Sequence, residues 1–216
     1  MIQIISAIQR KGGAGKSTML QSLAVSLAND NAKVVIIDTD PQMSCMKWAE
    51  SLEIKNLDVV EHVNENSLRD MIQALSDRNY DVILIDTAGY DSRIASYAIK
   101  SSNLLLVPTS GSKSSIQGSA DTWKHIDEET ENLKIRPIVK IVMWNVNIQS
   151  NIFSHSKKQL ENANLPLLDV VVPRLTGFEE MSWNGGMSVK SSTRKAVASF
   201  ISALQRHKLI DFYEDK

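Results

Sequence analysis

The 216-residue chain has one cysteine, no long apolar run and almost no net charge, and each shortage closes off a class of protein. Cys45 stands alone, so no disulfide framework forms within the chain and no Cys-x-x-Cys metal or cluster site exists. That usage fits a reducing, cytosolic setting. No apolar stretch approaches the ~18 residues of a membrane span. The first residues, Met1-Ile2-Gln3-Ile4-Ile5, do not read as a basic-then-apolar leader; they lead directly into a glycine loop. With a net charge of −1, any affinity for nucleic acid has to come from a local patch. His62, His125, His155 and His207 lack ligand spacing and read as solvated or capping residues. Trp48, Trp123, Trp144 and Trp183 form no periodic stacking array. They read as core or interface residues, with Trp183 in an exposed loop ahead of Asn184-Gly185-Gly186. There is no internal repeat and no low-complexity tract.

What is present is ordinary globular composition, 43% apolar and 23% charged. Short apolar runs alternate with amphipathic stretches. Strands are expected at residues 2–8, 34–37, 57–60, 82–85, 104–107, 138–144 and 168–172. Helices are expected at 17–29, 44–52, 67–76, 92–99, 116–129, 153–163 and 191–207. Runs such as Val82-Ile83-Leu84-Ile85 are apolar throughout, which marks strands buried on both faces. The alternation predicts an α/β fold: one mostly parallel sheet flanked by helices, with right-handed crossovers. No linker interrupts it, so residues 1–216 read as a single domain.

The first strand runs into Arg10-Lys11-Gly12-Gly13-Ala14-Gly15-Lys16-Ser17-Thr18 and then a helix. Glycines let the backbone wrap a phosphate with its N–H groups inward, and the helix N-terminus adds its own free N–H groups. Lys16 would face the β- and γ-phosphates and Ser17 would bind Mg²⁺. The strict P-loop pattern needs glycine five residues before Gly15, and Arg10 stands there. Lys-Gly-Gly-Ala-Gly-Lys-Ser instead resembles the deviant Walker A motif of the ParA/MinD family of ATPases. The resemblance implies a P-loop ATPase domain using ATP and Mg²⁺, with residues 11–18 (Lys11, Gly12, Gly13, Ala14, Gly15, Lys16, Ser17, Thr18) around the phosphates. It also implies that Lys11 reaches the partner's nucleotide in an ATP-bound homodimer. A solvated surface lysine is the alternative reading of Lys11.

Two acidic motifs follow. Asp38-Thr39-Asp40-Pro41-Gln42 resembles the family's switch, which makes Asp40 the residue that orients the attacking water and Asp38 a support of the Mg²⁺ shell. A strand-end turn is the alternative reading. Val82-Ile83-Leu84-Ile85-Asp86 ends a hydrophobic strand in an acid, so Asp86 is expected to hold Mg²⁺. The following Thr87-Ala88-Gly89-Tyr90-Asp91-Ser92 resembles the second switch. No glutamate follows Asp86, which argues for a slow timer. Asn145, Pro173 and Arg174 stand where relatives touch the adenine base, and ordinary loop chemistry is the alternative for each.

The resemblance runs from Met1 to about Leu204. Within the family, a cluster-carrying member needs cysteines that this chain lacks. A membrane-binding MinD type needs a basic amphipathic C-terminal helix, whereas residues 210–216 are acidic. A tyrosine kinase needs a tyrosine-rich tail, and an operator-binding ParA needs a helix-turn-helix domain before the first strand. The expectation is a cytoplasmic, nucleoid-associated ATPase of small ParA type. It would partition plasmid or chromosomal DNA with a centromere-binding (ParB-like) or cargo-adaptor partner and without a membrane. The alternatives are a VirC-type ATPase that brings conjugal DNA to a secretion channel, a protein-cargo positioning ATPase, and a metabolic ligase of the dethiobiotin-synthetase type. Lys11 and Asp-Pro-Gln disfavour the ligase. Residues 174–208 carry six basic residues and two acids, and Lys190, Arg194 and Lys195 are expected to bind duplex DNA without sequence preference.

Overall fold

The computed structural model describes residues 2–50, 52–64, 67–89, 92–150 and 152–210. Tyr90 and Asp91 of the expected second switch, and the acidic residues 211–216, lie outside the described residues.

Seven strands form one parallel sheet in the order β3-β2-β4-β1-β5-β6-β7. They are β1 (Gln3–Ala7), β2 (Val34–Asp38), β3 (Leu57–Glu61), β4 (Val82–Asp86), β5 (Leu104–Thr109), β6 (Ile138–Val146) and β7 (Leu167–Pro173). The helices between them are α1 (Lys16–Asn29), α2 (Ser44–Ala49), α3 (Leu68–Ser76), α4 (Arg93–Ser101), α5 (Lys113–Thr130) and α6 (Ile152–Asn162); α7 (Thr176–Asn184) and α8 (Ser191–Arg206) follow β7.

The two-residue period of a strand divides the core. Val34, Ile36, Val82, Leu84, Leu104 and Leu106 pack on one face with α1, α2, α7 and α8. Their neighbours Val35, Ile37, Ile83 and Ile85 pack on the other with α3 and α4. Leu105 and Val107 join Ile126 of α5 on that second face. Both faces are covered, which is why these strands read as unbroken apolar runs. Trp144 is the hub of the first face, with Phe178 at 5.2 Å and Phe200 at 5.3 Å between ring centroids. Burying rings of this size contributes roughly 1.5–3 kcal/mol each.

Several element bounds differ from expectation, and three differences are the largest. The segment carrying Trp183 is helical, not a loop, although Trp183 is exposed as expected, at 87%. This helix, α7, begins at Thr176, and Leu175 before it supplies no side-chain cap. Phe178 and Met181 hold it against the core, so tertiary packing made a helix that local signals do not announce. Helix α5 begins at Lys113, where the Ser112 hydroxyl accepts from the Ser115 N–H, three residues ahead of expectation. Helix α2 ends at Ala49.

Register carries the fold into the site. Ala7 pairs with Asp86, and Asp38 also pairs with Asp86. The carboxyl ends of β1, β2 and β4 therefore stop level with one another, and the loops leaving them share one crevice.

Candidate functional site

The loop leaving β1 is shaped by two left-handed residues, Gly13 at φ 71° and Gly15 at φ 93°. A Cβ on Gly15 would lie 2.5 Å from Trp144 Cδ1, so that position is closed to any side chain. The Gly15 carbonyl accepts from the Met19 N–H at 2.9 Å and starts α1. The first-turn N–H groups of this helix thus open onto the loop.

Inside the loop is a cavity of about 570 Å³, the size of a small-molecule site. Gly12, Gly13, Ala14, Gly15, Lys16, Ser17 and Thr18 line it, with Asp40 across from them. The Lys16 side chain is 7% exposed, and its Nζ donates to the Ala88 carbonyl at 3.1 Å. Burial pushes its ammonium below the ordinary value, while Asp86 and Asp40 oppose the shift.

Beneath the loop, Asp86 is fully buried, and burial pushes its carboxyl up to about 6, with the Ser17 hydroxyl opposing. Its Oδ2 accepts from the Cys45 thiol at 3.3 Å, and its Oδ1 has no hydrogen-bond partner. A buried oxygen left unpaired is costly unless something else satisfies it. One oxygen each of Asp38 and Asp86 and the Cys45 Sγ lie within 4.8 Å of one another. With Ser17 beside Asp86, the oxygen donors suit a hard divalent cation such as Mg²⁺.

Asp38 also has a structural occupation. Its Oδ1 accepts from the Asp40 N–H at 3.1 Å, and its Oδ2 from the N–H groups of Cys45 (2.8 Å) and Met46 (3.0 Å). Burial raises its carboxyl above the usual range, and those three N–H groups oppose it. Asp38 is the anchor that fixes the start of α2 beside Asp86. Asp40 is half-buried on the cavity wall, and its Oδ1 accepts from the Gln42 N–H at 2.9 Å. The expected turn chemistry and a cavity-facing carboxylate coexist in that residue.

Lys11 stands outside this cavity. It is exposed, donates to Ser114 Oγ at 2.9 Å, and lines a neighbouring groove with Arg10, Gln117 and Asp121 against α5. Asn145, left-handed at φ 56°, does line the phosphate-loop cavity. Pro173 and Arg174 are not brought to it. The Arg174 N–H donates to the Val146 carbonyl, and its guanidinium meets Glu179 at 3.6 Å.

The basic residues after β7 are partly spoken for. Lys190 pairs with Glu180 at 2.5 Å, and Arg206 pairs with Asp169 at 3.0 Å. Among the described residues no acid pairs with Arg194 or Lys195, both exposed near the start of α8.

Motif reading missed part of the wall. Gln21, Gln42, Ser44, Lys47, Trp48, Ala88 and Ser182 also line the cavity. Only Gln42 and Ala88 stood inside a motif; the others come from α1, α2 and α7 and carry no shared spacing.

A glycine loop opening a helix at the carboxyl end of a parallel strand, with a buried lysine and level aspartates ending the next two strands of the sheet, defines a P-loop ATPase of the ParA/MinD class. The profile of the family described as "VirC1 protein" matches residues 2–210, and the chain belongs to that family. Protein ParA of Rhizobium radiobacter is 27% identical over 207 residues, spanning 93% of this chain and 92% of that protein. Protein virC1 of the same organism is 32% identical over 141 residues, spanning 62% and 61%. The structure of the septum site-determining protein MinD from Pyrococcus horikoshii, complexed with Mg-ADP, shares the fold. Its TM-score is 0.74 at 19% identity, covering 97% of each chain.

Proposed function

We propose that this protein is a slow ATP-dependent switch that dimerises around ATP, binds duplex DNA without sequence preference and drives DNA partition. The observation that carries the reading is the division of labour between two lysines. Lys16 is buried in the cavity, while Lys11 lies on the same loop, exposed and outside it. A lysine so placed is available to the nucleotide of a second copy, where it would act as an arginine finger does.

Within one protomer, the N–H groups of residues 12–18 and the Lys16 ammonium hold the phosphates. Ser17 and Asp86 would hold Mg²⁺, which neutralises charge on the phosphate oxygens. Asp38 keeps α2 and Asp40 in position, and Asp40 orients the attacking water and takes its proton. Asn145 is the candidate for the base. Arg194 and Lys195, free of acidic partners among the described residues, are the DNA contacts; Lys190 contributes less because Glu180 holds it. Two protomers would double this patch, which gives ATP control of DNA binding a purely electrostatic basis. The reading includes a cytoplasmic, nucleoid-associated protein and a centromere-binding or cargo-adaptor partner that stimulates hydrolysis. Among the described residues no helix is long and apolar enough to cross a membrane.

Membership of the VirC1 family favours a second reading of the cargo: conjugal DNA brought to a secretion channel by the same switch.

Two experiments test the switch. Lys11→Ala is expected to bind ATP within about twofold of the wild type, because an exposed lysine adds little in cis, but to stay monomeric by light scattering with ATP. An unimpaired ATP dimer would remove the role in trans. Arg194→Glu with Lys195→Glu is expected to weaken ATP-dependent binding to unrelated DNA duplexes by ~10-fold or more. The log–log salt slope should also fall by about two to four for the dimer. Equal gel shifts of the wild type with ATP, ADP and no nucleotide would reject ATP gating.

A further inference from the structure

The cavity holds a second lysine that belongs to none of the motifs. Lys47 lies on α2 and lines the same space as Thr18 of the phosphate loop. Its helix is pinned on two sides. Cys45 is fully buried and donates its thiol proton to Asp86, while Trp48 is 2% exposed with Nε1 donating to the Gly186 carbonyl at 3.4 Å. The start of the helix is fastened by Asp38 through the Cys45 and Met46 N–H groups, and Gln21 of α1 donates to the Ser44 carbonyl at 3.4 Å. With Cys45 and Trp48 committed to the interior, Lys47 is the exposed cation that this rigid helix presents to the cavity. Among the described residues no acid pairs with it.

Charge balance gives the lysine a purpose. Asp86 and Asp40 both act on Lys16, and Lys16 already suffers from burial. A polyanion entering this space meets the Asp40 carboxylate on its wall, with Asp86 buried near Lys16, and one loop lysine in cis. A second cation across from the loop lowers that repulsion without waiting for a partner protomer.

Resting on the nucleotide-binding reading of the cavity, we infer that Lys47 is a further nucleotide-binding residue, contacting the phosphate chain in cis from the α2 wall. Because α2 begins at the carboxylate of Asp38, a phosphate held by Lys47 also ties the Asp40 turn to the nucleotide.

The test is equilibrium binding of ATP, ADP and inorganic tripolyphosphate to full-length wild type, Lys47→Gln and Lys47→Arg, with melting curves to establish that all are folded. The expected result is a loss of ~3- to 10-fold for all three ligands in Lys47→Gln, as befits one partly solvated charge-assisted contact. Lys47→Arg should recover most of it, and the loss should shrink as salt rises. Unchanged affinity in Lys47→Gln overturns the inference while leaving the cavity a nucleotide site. A loss for ATP and ADP but not for tripolyphosphate overturns the phosphate contact in favour of the nucleoside. Failure of the wild type to bind any of the three overturns the nucleotide reading itself, and this inference with it.

Discussion

Lys16→Ala is expected to abolish tight ATP and ADP binding. The Lys16 ammonium is buried, faces the cavity from the first residue of α1, and donates to the Ala88 carbonyl. Removing one partner of a buried charge-assisted contact costs about 3 kcal/mol or more, or ~100-fold in affinity. The substitution also leaves the phosphates facing Asp86 and Asp40 without the cation that now lies between them in charge. Folding should survive, because the variant removes a charge whose burial already opposes its ionised form. Calorimetric titration with ADP, alongside a melting curve, separates the two effects. Affinity near wild type in a folded Lys16→Ala protein would mean that the cavity is not a phosphate site.

The second large effect is expected at Asp40. Asp40→Asn keeps an oxygen able to accept from the Gln42 N–H, so the turn at residues 40–43 stays formed. It loses the carboxylate proposed to take the water's proton. Hydrolysis should fall ~100-fold or more, the usual scale for a positioned base, while ATP affinity changes little. The protein should then accumulate as a persistent ATP dimer in light scattering. Asp40→Ala should show the same kinetic loss with an added fall in melting temperature, because it also breaks the turn. If Asp40→Asn hydrolyses ATP at the wild-type rate while Asp40→Ala is merely unstable, Asp40 is a turn residue and the catalytic assignment fails.

The contrast between these two residues reflects how the site is built. Lys16 does its work from a helix start whose geometry is fixed by Gly15 and Trp144. Asp40 works from a turn suspended between Asp38 and α2, so its effect on catalysis and its effect on local structure have to be separated by choosing an isosteric change.

Much of this was determined by the sequence alone. Unbroken apolar runs such as 82–85 report burial on both sheet faces, and parallel sheets are the arrangement that demands it. Gly13, Gly15 and the Gly-Lys-Ser step mark the phosphate loop because the required backbone conformations are ones other residues avoid. Asp38, Asp40 and Asp86 are legible because strand ends in such a sheet converge on one crevice. Local chemistry of this kind is written in adjacent residues.

Tertiary structure decided what depends on distant segments meeting. Helix α7 forms because Phe178 and Met181 find Trp144 and the first-face core, and Gly177 lets it approach Thr193 of α8 closely; none of these partners is near in sequence. Pro173 and Arg174 look like base contacts by position; they are not among the residues lining the cavity, and Arg174 is engaged by Val146 and Glu179. That Lys190 pairs with Glu180, 2.5 Å away, is likewise not legible in the sequence. That Asp38 also carries three backbone N–H groups, and so anchors α2, is visible only in the fold. In each case a charged or polar side chain has a choice of partners, and the nearest partner is set by strand register and helix packing, which act across the whole chain. The same holds for Lys47, whose place on the cavity wall follows from the buried neighbours that fix its helix.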